Sequence, residues 1–276
     1  MTLDPLSKRL VALALEEDIG AGDVTSVVVD EEVVGQAHFV AREALCLAGT
    51  AAAEEVYAQI DPQLAVRFAR TDGAWVEAGE RFGTVRGPSR SLLMGERTAL
   101  NFLQRLSSIA TRARSAQAEV AGTRCRVVDT RKTTPGLRAL EKAAVRAGGA
   151  FNHRSGLFDG ILIKDNHIAA VGSVTAAITK ARTFNHHLLK IECECDTLAQ
   201  VEEAVEAGAD VILLDNMTDE QMRVAVQRVG GRALVEASGG VRQERLASIA
   251  ATGVDFISMG GLTHSAQAAD IGLDWD

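Results

Sequence analysis

Apolar and polar positions follow two different patterns along the chain. In the first hundred residues the pattern is mixed: residues 3–16 have helical apolar spacing, and so does the stretch 48–60. Between and after them, 36–42 and 64–69 alternate or cluster apolar residues as short strands do. This region is predicted to be a separate α+β segment.

A long amphipathic helix is predicted from Ser91 to about Val120, where it would join the first part of the chain to the second. After it, short apolar runs recur at a spacing that settles near roughly 20 to 25 residues, the length of a βα unit. We therefore place the domain boundary at 1–108 and 109–276 and expect the extreme C-terminus to pack back on the N-terminal domain. The apolar runs are 126–129, 160–164, 189–194, 211–215, 233–236 and 254–258.

Such runs are typical of parallel strands that are buried on both faces, and most are followed by a helical stretch. The fold class is therefore α/β, and the six βα units indicate a barrel or a partial barrel. The 276 residues are enough for one barrel with a smaller companion domain.

Composition narrows the function classes. The formal net charge of −8 argues against binding of nucleic acid or an anionic membrane surface, so any anion site must be local. No stretch approaches ~20 uninterrupted apolar residues, and Asp4 and Lys8 precede any apolar run, so we expect no membrane span and a cytoplasmic protein. The four cysteines have no C-x-x-C spacing and are expected to be ordinary buried thiols.

Polar side chains follow every one of the six strands, at the end where βα barrels build their active sites. Any one of them could be a solvated loop start, but six together favour a polar cleft. The strand-end residues are Asp129, Arg131, Lys132, Lys164, Asp165, Glu192, Glu194, Asp215, Asn216, Glu236, Ser238 and Ser258.

The cleft is predicted to hold two kinds of charge. Convergent arginines and lysines imply a ligand with several carboxylates or phosphates. Carboxylates beside these cations could bind a Mg²⁺ ion that carries substrate phosphates, or they could bind ribose hydroxyls. A plain salt-bridge network between the two sets is the alternative. The cationic set is Arg131, Lys132, Arg154 and Lys164, with His153, Arg97 and Arg138 as further members, and the acidic set is Glu194 and Asp215.

Two glycine-rich turns follow the last two strands, at 237–240 and 260–264. In barrels these loops commonly form a phosphate site, although each turn alone could be a simple left-handed connection. The pair in consecutive positions favours phosphate binding.

The chain resembles the quinolinate phosphoribosyltransferases, also called nicotinate-nucleotide pyrophosphorylases (carboxylating). The resemblance lies in the order and spacing of its motifs and covers nearly the whole chain. They are Glu17-Asp-Ile-Gly-Ala-Gly-Asp-Val-Thr25, Gly95-Glu-Arg-Thr-Ala-Leu-Asn101, Asp129-Thr-Arg-Lys-Thr-Thr-Pro-Gly136, Asn152-His-Arg154, Leu162-Ile-Lys-Asp-Asn-His167, Leu214-Asp-Asn216, Glu236-Ala-Ser-Gly-Gly240 and Leu262-Thr-His-Ser265.

The resemblance implies an N-terminal α/β sandwich domain and an incomplete βα-barrel, as in type II phosphoribosyltransferases. It also implies a homodimer, or an assembly of dimers, in which one subunit's N-terminal domain covers the other's barrel mouth. The implied reaction is quinolinate plus phosphoribosyl pyrophosphate giving nicotinate mononucleotide, pyrophosphate and CO₂, with Mg²⁺ as cofactor.

Site residues carry over from the resemblance position by position. Quinolinate binding falls on Arg131, His153, Arg154 and Lys164, with Thr130 nearby and Arg97 from the partner subunit. Lys132 lies near the phosphoribosyl donor, and Glu194 and Asp215 hold its ribose and Mg²⁺, so that Lys132, Lys164, Glu194 and Asp215 form the catalytic set. The donor's 5′-phosphate falls on Ser238, Gly239, Gly240, Gly260, Gly261 and His264.

The chain departs from the family pattern at Ala150, which stands where a third glycine is usual, and at Cys193 and Cys195, which replace valines. A related enzyme with a different acceptor is one rival interpretation, and the intact cationic set argues against it. A non-catalytic barrel that binds a phosphorylated ligand is another. Simple anion capture needs no pair of metal-binding carboxylates, which argues against this second rival.

Overall fold

The computed structural model describes residues 3–276 and contains ten α-helices and twelve β-strands. Two single 3₁₀ turns lie at Ser26–Val28 and Gln243–Arg245. The helices are α1 (Pro5–Ile19), α2 (Thr50–Ile60), α3 (Ser89–Glu119), α4 (Arg138–Ala147), α5 (Asp165–Val171), α6 (Val174–Phe184), α7 (Leu198–Glu206), α8 (Asp219–Val229), α9 (Leu246–Ala250) and α10 (Gly261–His264). The strands are β1 (Val34–Ala41), β2 (Leu45–Cys46), β3 (Ala65–Phe68), β4 (Trp75–Val76), β5 (Arg81–Pro88), β6 (Arg126–Val128), β7 (Ile161–Ile163), β8 (Ile191–Cys195), β9 (Val211–Asp215), β10 (Leu234–Ser238), β11 (Phe256–Ser258) and β12 (Ile271–Trp275).

The chain divides into two compact units. One comprises Met1–Arg114, Thr133–Gly149 and Leu262–Asp276, and the other comprises Ser115–Lys132 and Ala150–Gly261. We call them the sandwich unit and the barrel unit.

The sandwich unit is built on an antiparallel sheet of four strands in the order β12-β1-β5-β3, with a separate β2-β4 pair. Phe39, Phe68 and Phe82 stack in its core, and the ring of Tyr57 on α2 meets Phe39 edge to face. The C-terminal strand β12 pairs with β1 along its whole length, from Ile271 to Trp275.

The barrel unit holds six parallel strands in the order β6-β11-β10-β9-β8-β7. The first strand therefore lies beside the last, as in a closed barrel, and consecutive strands are neighbours everywhere except between β6 and β7. In that gap Phe151 forms a single parallel bridge to Val128 on β6. The prediction of an incomplete parallel barrel is confirmed, and its opening lies between this bridge and β7.

Local sequence explains how the barrel helices begin. Thr197 caps α7 and Thr218 caps α8, and in each case a glutamine three residues later returns the bond, which is the capping-box arrangement. Each of the six predicted barrel strands is present, with ends that shift by two residues at most. The long helix runs from Ser89 to Glu119, close to the predicted bounds.

None of the helices described is long and apolar enough to cross a membrane. All four cysteines are buried free thiols, as predicted.

Candidate active site

One face of the barrel sheet carries its charged residues. Glu194 on β8 pairs with Leu213 on β9, which pairs in turn with Glu236 on β10. Paired residues of parallel strands share a face, and every second residue returns to it. The shared face therefore also includes Glu192, Asp215 and Ser238, whereas the alternate positions are apolar: Cys193, Cys195, Ile212, Leu214, Val235 and Ala237.

Two carboxylates on this face converge on one imidazole. His153 Nε2 lies 3.0 Å from a carboxylate oxygen of Glu192 and 3.6 Å from one of Glu236. The two glutamates come from β8 and β10, which are not neighbours in the sheet, so their meeting requires a concave inner face. Glu192 is 7% exposed and Glu236 is 4% exposed, so the cluster forms a buried acidic floor.

Glu236 has an unusual pKa. Burial, and next the nearby charge of Glu192, raise the pKa of the Glu236 carboxyl to about 8. One oxygen of Glu236 and one of Glu192 are also buried without a hydrogen-bond partner among the residues described. Two carboxylates buried against the same imidazole cannot both ionise cheaply, which favours a proton on Glu236 at pH 7.

The hydrogen bonds of His153 assign its tautomer. Its Nδ1 accepts the backbone N–H of Arg154 at 2.7 Å, so Nδ1 carries no proton. The proton of the neutral ring is then on Nε2, where it donates to Glu192. His153, Glu192 and Glu236 offer ligand atoms within 4.8 Å of one another, the spacing of a metal site. Coordination through Nε2 would need that nitrogen deprotonated, so the tautomer favours a hydrogen-bonded floor instead.

Asp129 holds the segment that carries these residues. It is fully buried at the end of β6. Its carboxylate accepts the side-chain amide of Asn152 at 2.6 Å and the backbone N–H of His153 at 2.9 Å. The residues after the Phe151 bridge are thereby fixed at the C-terminal edge of the barrel sheet.

Cationic side chains lie beside this floor. Arg154 donates to the carbonyl of Gly160 at 3.1 Å. Burial, and next the charge of Arg131, lower the pKa of the Arg154 guanidinium. An anion that binds both guanidinium groups would relieve this repulsion, which favours a polyanionic ligand.

Lys164 pairs with the predicted acidic set. Its ammonium donates to Glu194 at 2.5 Å; Lys164 follows the last residue of β7, Ile163, which pairs with Cys193 next to Glu194 on β8. The backbone N–H of Lys164 donates to His167 Nδ1 at 2.9 Å, which fixes the start of α5. The Lys164 side chain is 47% exposed, so this pair faces the open end of the sheet. The contact between Lys164 and Glu194 also fits the alternative interpretation, in which the cationic and acidic sets form a plain salt-bridge network.

The comparisons with known proteins agree along the whole chain. The model of the quinolinate phosphoribosyl transferase N-terminal domain matches residues 23–107, and that of the C-terminal domain matches residues 109–274. The chain belongs to the quinolinate phosphoribosyltransferase family. The recognised resemblance is thereby confirmed.

Individual relatives match over most of their own length. A probable nicotinate-nucleotide pyrophosphorylase (carboxylating) of Bacillus subtilis is 45% identical over 97% of this chain and 92% of its own. A quinolinate phosphoribosyltransferase (decarboxylating) of Nicotiana tabacum is 40% identical over 98% of this chain and 82% of its own. The nicotinate-nucleotide pyrophosphorylase structure from Francisella tularensis superposes with a TM-score of 0.96 at 37% identity, covering 100% and 98% of the two chains.

The remaining residues singled out by the family resemblance lie at the same edge of the barrel or in the sandwich unit. The Thr130 hydroxyl accepts the backbone N–H of Lys132 at 3.0 Å, and Arg131 and Lys132 are exposed after β6. Ser238 pairs in register with Asp215, so the turn that the resemblance assigns to the donor's phosphate lies next to a member of the predicted acidic set. Gly240 is exposed, and Gly260 lies two residues after the end of β11.

Three residues that the resemblance assigns to the site lie on α3 or α10. Arg97 is exposed on α3, where it lines a pocket of the sandwich unit with Asp23, Thr25, Ser26, Val28, Leu93 and Glu96. Gly261 begins α10, and His264 ends it with its Nδ1 at 2.7 Å from the Ser265 hydroxyl.

The site contains residues to which the sequence assigned no role. Asp129, Glu192 and Glu236 were noted as strand-end polar residues, and the structure brings them together around His153. Their shared face could have been found from the period of two along β8 and β10, because both glutamates fall on the positions that alternate with apolar residues.

Proposed function

We propose that this protein transfers the phosphoribosyl group of phosphoribosyl pyrophosphate to quinolinate and releases CO₂, giving nicotinate mononucleotide for NAD biosynthesis. Relatives that carry this activity in their names match nearly the full chain. The observation that carries the proposal is that Arg131 and Arg154 act on each other's charge beside Glu192, while Lys164 is bonded to Glu194 two residues along the same strand. Convergent cations of this kind suit a dicarboxylate acceptor.

The acceptor would bind to Arg131, His153, Arg154 and Lys164, with Thr130 nearby. Arg97 would complete this site from the partner subunit of a homodimer. Displacement at the ribose C1 develops positive charge on the sugar and negative charge on pyrophosphate. The protein therefore mainly positions and neutralises, and it needs no covalent nucleophile.

Mg²⁺ is the proposed cofactor, and the residues fit it. Glu194 and Asp215 lie on one face of adjacent strands and offer only hard oxygen ligands. When bound, Mg²⁺ would neutralise the leaving pyrophosphate. Lys164, which holds Glu194 in the absence of ligands, would turn to the acceptor, and Lys132 would contact the donor.

The donor's 5′-phosphate would lie against Ser238, Gly239, Gly240, Gly260, Gly261 and His264.

Because the charge of −8 gives no reason for nucleic-acid binding and no apolar stretch could span a bilayer, we propose that the substrates are small molecules and that the enzyme is cytoplasmic.

The test is an assay of purified protein with phosphoribosyl pyrophosphate, Mg²⁺ and either quinolinate or nicotinate, following CO₂ and nicotinate mononucleotide. We expect turnover of quinolinate alone and its loss in Lys164→Ala. Lys180→Ala is the matched control, since Lys180 is an exposed lysine on α6 of the same unit. Product from nicotinate would instead support the rival with another acceptor, and no product from either would support the binding protein.

A further inference from the structure

Arg105 on α3 is the centre of a buried polar cluster in the sandwich unit. Its Nε and Nη2 donate to one carboxylate oxygen of Glu141 on α4, at 3.1 and 2.8 Å. Glu141 has no solvent exposure, and the Arg105 side chain is 25% exposed. A buried carboxylate of this kind is costly unless its bonds are well satisfied, so the pair is a specific arrangement.

The same guanidinium also caps the C-terminal end of α10, the helix that carries His264. Arg105 Nη2 donates to the carbonyl of Thr263 at 2.7 Å, and Nη1 donates to the carbonyl of Ala266 at 2.8 Å. The last carbonyls of a helix have no partner within it, and a cationic donor satisfies them well. His264 lies between these two anchored residues, although its own side chain is exposed.

A second segment is attached to the same pair. The other oxygen of Glu141 accepts the backbone N–H of Thr134 at 3.2 Å, and Arg105 Nη2 lies 3.2 Å from the Thr134 hydroxyl. Thr134 follows the Arg131-Lys132 motif by two residues. The ion pair of Arg105 and Glu141 thus fixes both the turn that carries His264 and the segment that follows Lys132.

We propose that Arg105, held by Glu141, is a positioning residue for the phosphoribosyl donor: it fixes the backbone on both sides of His264 and so sets where the donor's 5′-phosphate binds. The inference rests on the proposed function, which places that phosphate at His264. Arg105 contacts neither substrate in this account and acts only through the 263–266 backbone.

The test uses two variants with different risks to folding. Arg105→Lys keeps the charge opposite Glu141 but cannot donate to Glu141, Thr263 and Ala266 together, because a single ammonium lacks the fork of a guanidinium. The double variant Arg105→Met with Glu141→Leu leaves no buried charge, and such replacements often keep stability. Arg114→Lys is the control, because Arg114 lies on the same helix with its guanidinium 5.6 Å from the ring centre of Trp75.

The measurements are the Kd of phosphoribosyl pyrophosphate by calorimetry with Mg²⁺, the KM of each substrate, and Tm. For both Arg105 variants we expect donor Kd and KM to rise about tenfold, the loss typical of hydrogen bonds from a charged group, with quinolinate KM changed less than about threefold. Arg114→Lys should match wild type in all of them.

Folded variants with an unchanged donor Kd would overturn the proposal, and so would loss of folding in both, since the pair would then be purely structural. An equal rise of both KM values would also contradict a role specific to the donor. Failure of the proposed function is distinguishable, because wild type would then show no turnover, whereas the calorimetric comparison of donor affinity still stands.

Discussion

His153 engages both of its ring nitrogens within the protein: Nδ1 accepts from Arg154 and Nε2 faces Glu192. We therefore predict that the ligand-free enzyme holds the neutral ring with its proton on Nε2. Long-range ¹H–¹⁵N spectra should show one protonated and one unprotonated nitrogen, with the signal assigned by its loss in His153→Gln. Glu192→Ala removes the acceptor of the Nε2 proton, so the two nitrogen signals of His153 should broaden or interchange. Glu202 is an exposed glutamate on α7, and Glu202→Ala should leave the signals unchanged. Equal protonation of both nitrogens in wild type would refute the assignment.

Glu236 should make stability depend on pH. Its pKa is raised from 4.5 to about 8 in the folded protein, so the folded state holds this proton more tightly than the unfolded chain does. The contribution to the free energy of unfolding is then full below about pH 4.5 and is lost as pH rises through about 8. Glu236→Gln mimics the protonated carboxyl and should flatten this decline between pH 5 and 9. The measurement is Tm against pH for both proteins, and parallel curves would show that Glu236 does not titrate in this range.

At the scale of elements, the turn after β10 interlocks with the turn after β9. Gly239 has φ of +90°, and a Cβ there would lie 2.3 Å from the side-chain oxygen of Asn216 and 2.7 Å from its backbone nitrogen. Asn216 itself has φ of +53°, in the region that asparagine tolerates. The two turns therefore fix each other next to Asp215 and Ser238.

Gly239→Ala should consequently displace Asn216 and lower kcat/KM for phosphoribosyl pyrophosphate by about tenfold or more, because a misplacement near 1 Å in such a site is costly. Gly208→Ala is the matched control: φ is +81° there, but no atom lies within 4 Å of the added Cβ. It should lose stability, by about 1 kcal/mol from backbone strain, and keep its kinetic constants. A similar kinetic loss in both variants would mean that strain alone accounts for the effect.

Elements with a clear period were predictable, and those defined by long-range contacts were not. The apolar runs from 126 to 258 yield all six barrel strands, because burial on both faces leaves a continuous signal. Strands β5 and β12 were missed, since glycines interrupt both and their pairing with β1 spans distant parts of the chain. The boundary at residue 108 stays a prediction.

The candidate site divides in the same way. Strand-end position indicated Lys164, Glu194 and Asp215, because charged residues stand out after apolar runs. The convergence of Glu192 and Glu236 on His153 depends on barrel curvature, which no local pattern encodes.

Ala150 is buried at 1% exposure and adopts no positive φ, so its methyl group is accommodated where the family usually has glycine.

At the scale of the whole molecule, the net charge of −8 contrasts with the cations gathered at the site. The acidic surface gives no long-range attraction for anionic substrates, so binding has to come from local contacts. Arg131 is exposed and the Lys164 side chain is 47% exposed, so salt screens these cations, and we expect the KM of quinolinate to rise when it is measured at increasing ionic strength.

The proposed homodimer makes the sharpest prediction at this scale. If Arg97 enters the site from the partner subunit, then Arg97→Ala and Lys164→Ala damage the same site from different subunits. Each homodimer should be inactive, but a heterodimer of the two variants has one site with both defects and one intact site. Random exchange of subunits should therefore restore about a quarter of wild-type activity.

Co-expression with two different affinity tags, followed by sequential purification, would isolate the heterodimer and raise the expected recovery to about half, since each molecule then keeps one of two sites. Lys164→Ala combined with Glu194→Ala is the control, because both residues belong to the same barrel and are bonded to each other. Every site of that heterodimer carries one defect, so no activity should return. Recovery in the control as well would indicate contaminating wild type, and no recovery with Arg97→Ala would mean that Arg97 serves its own subunit or none.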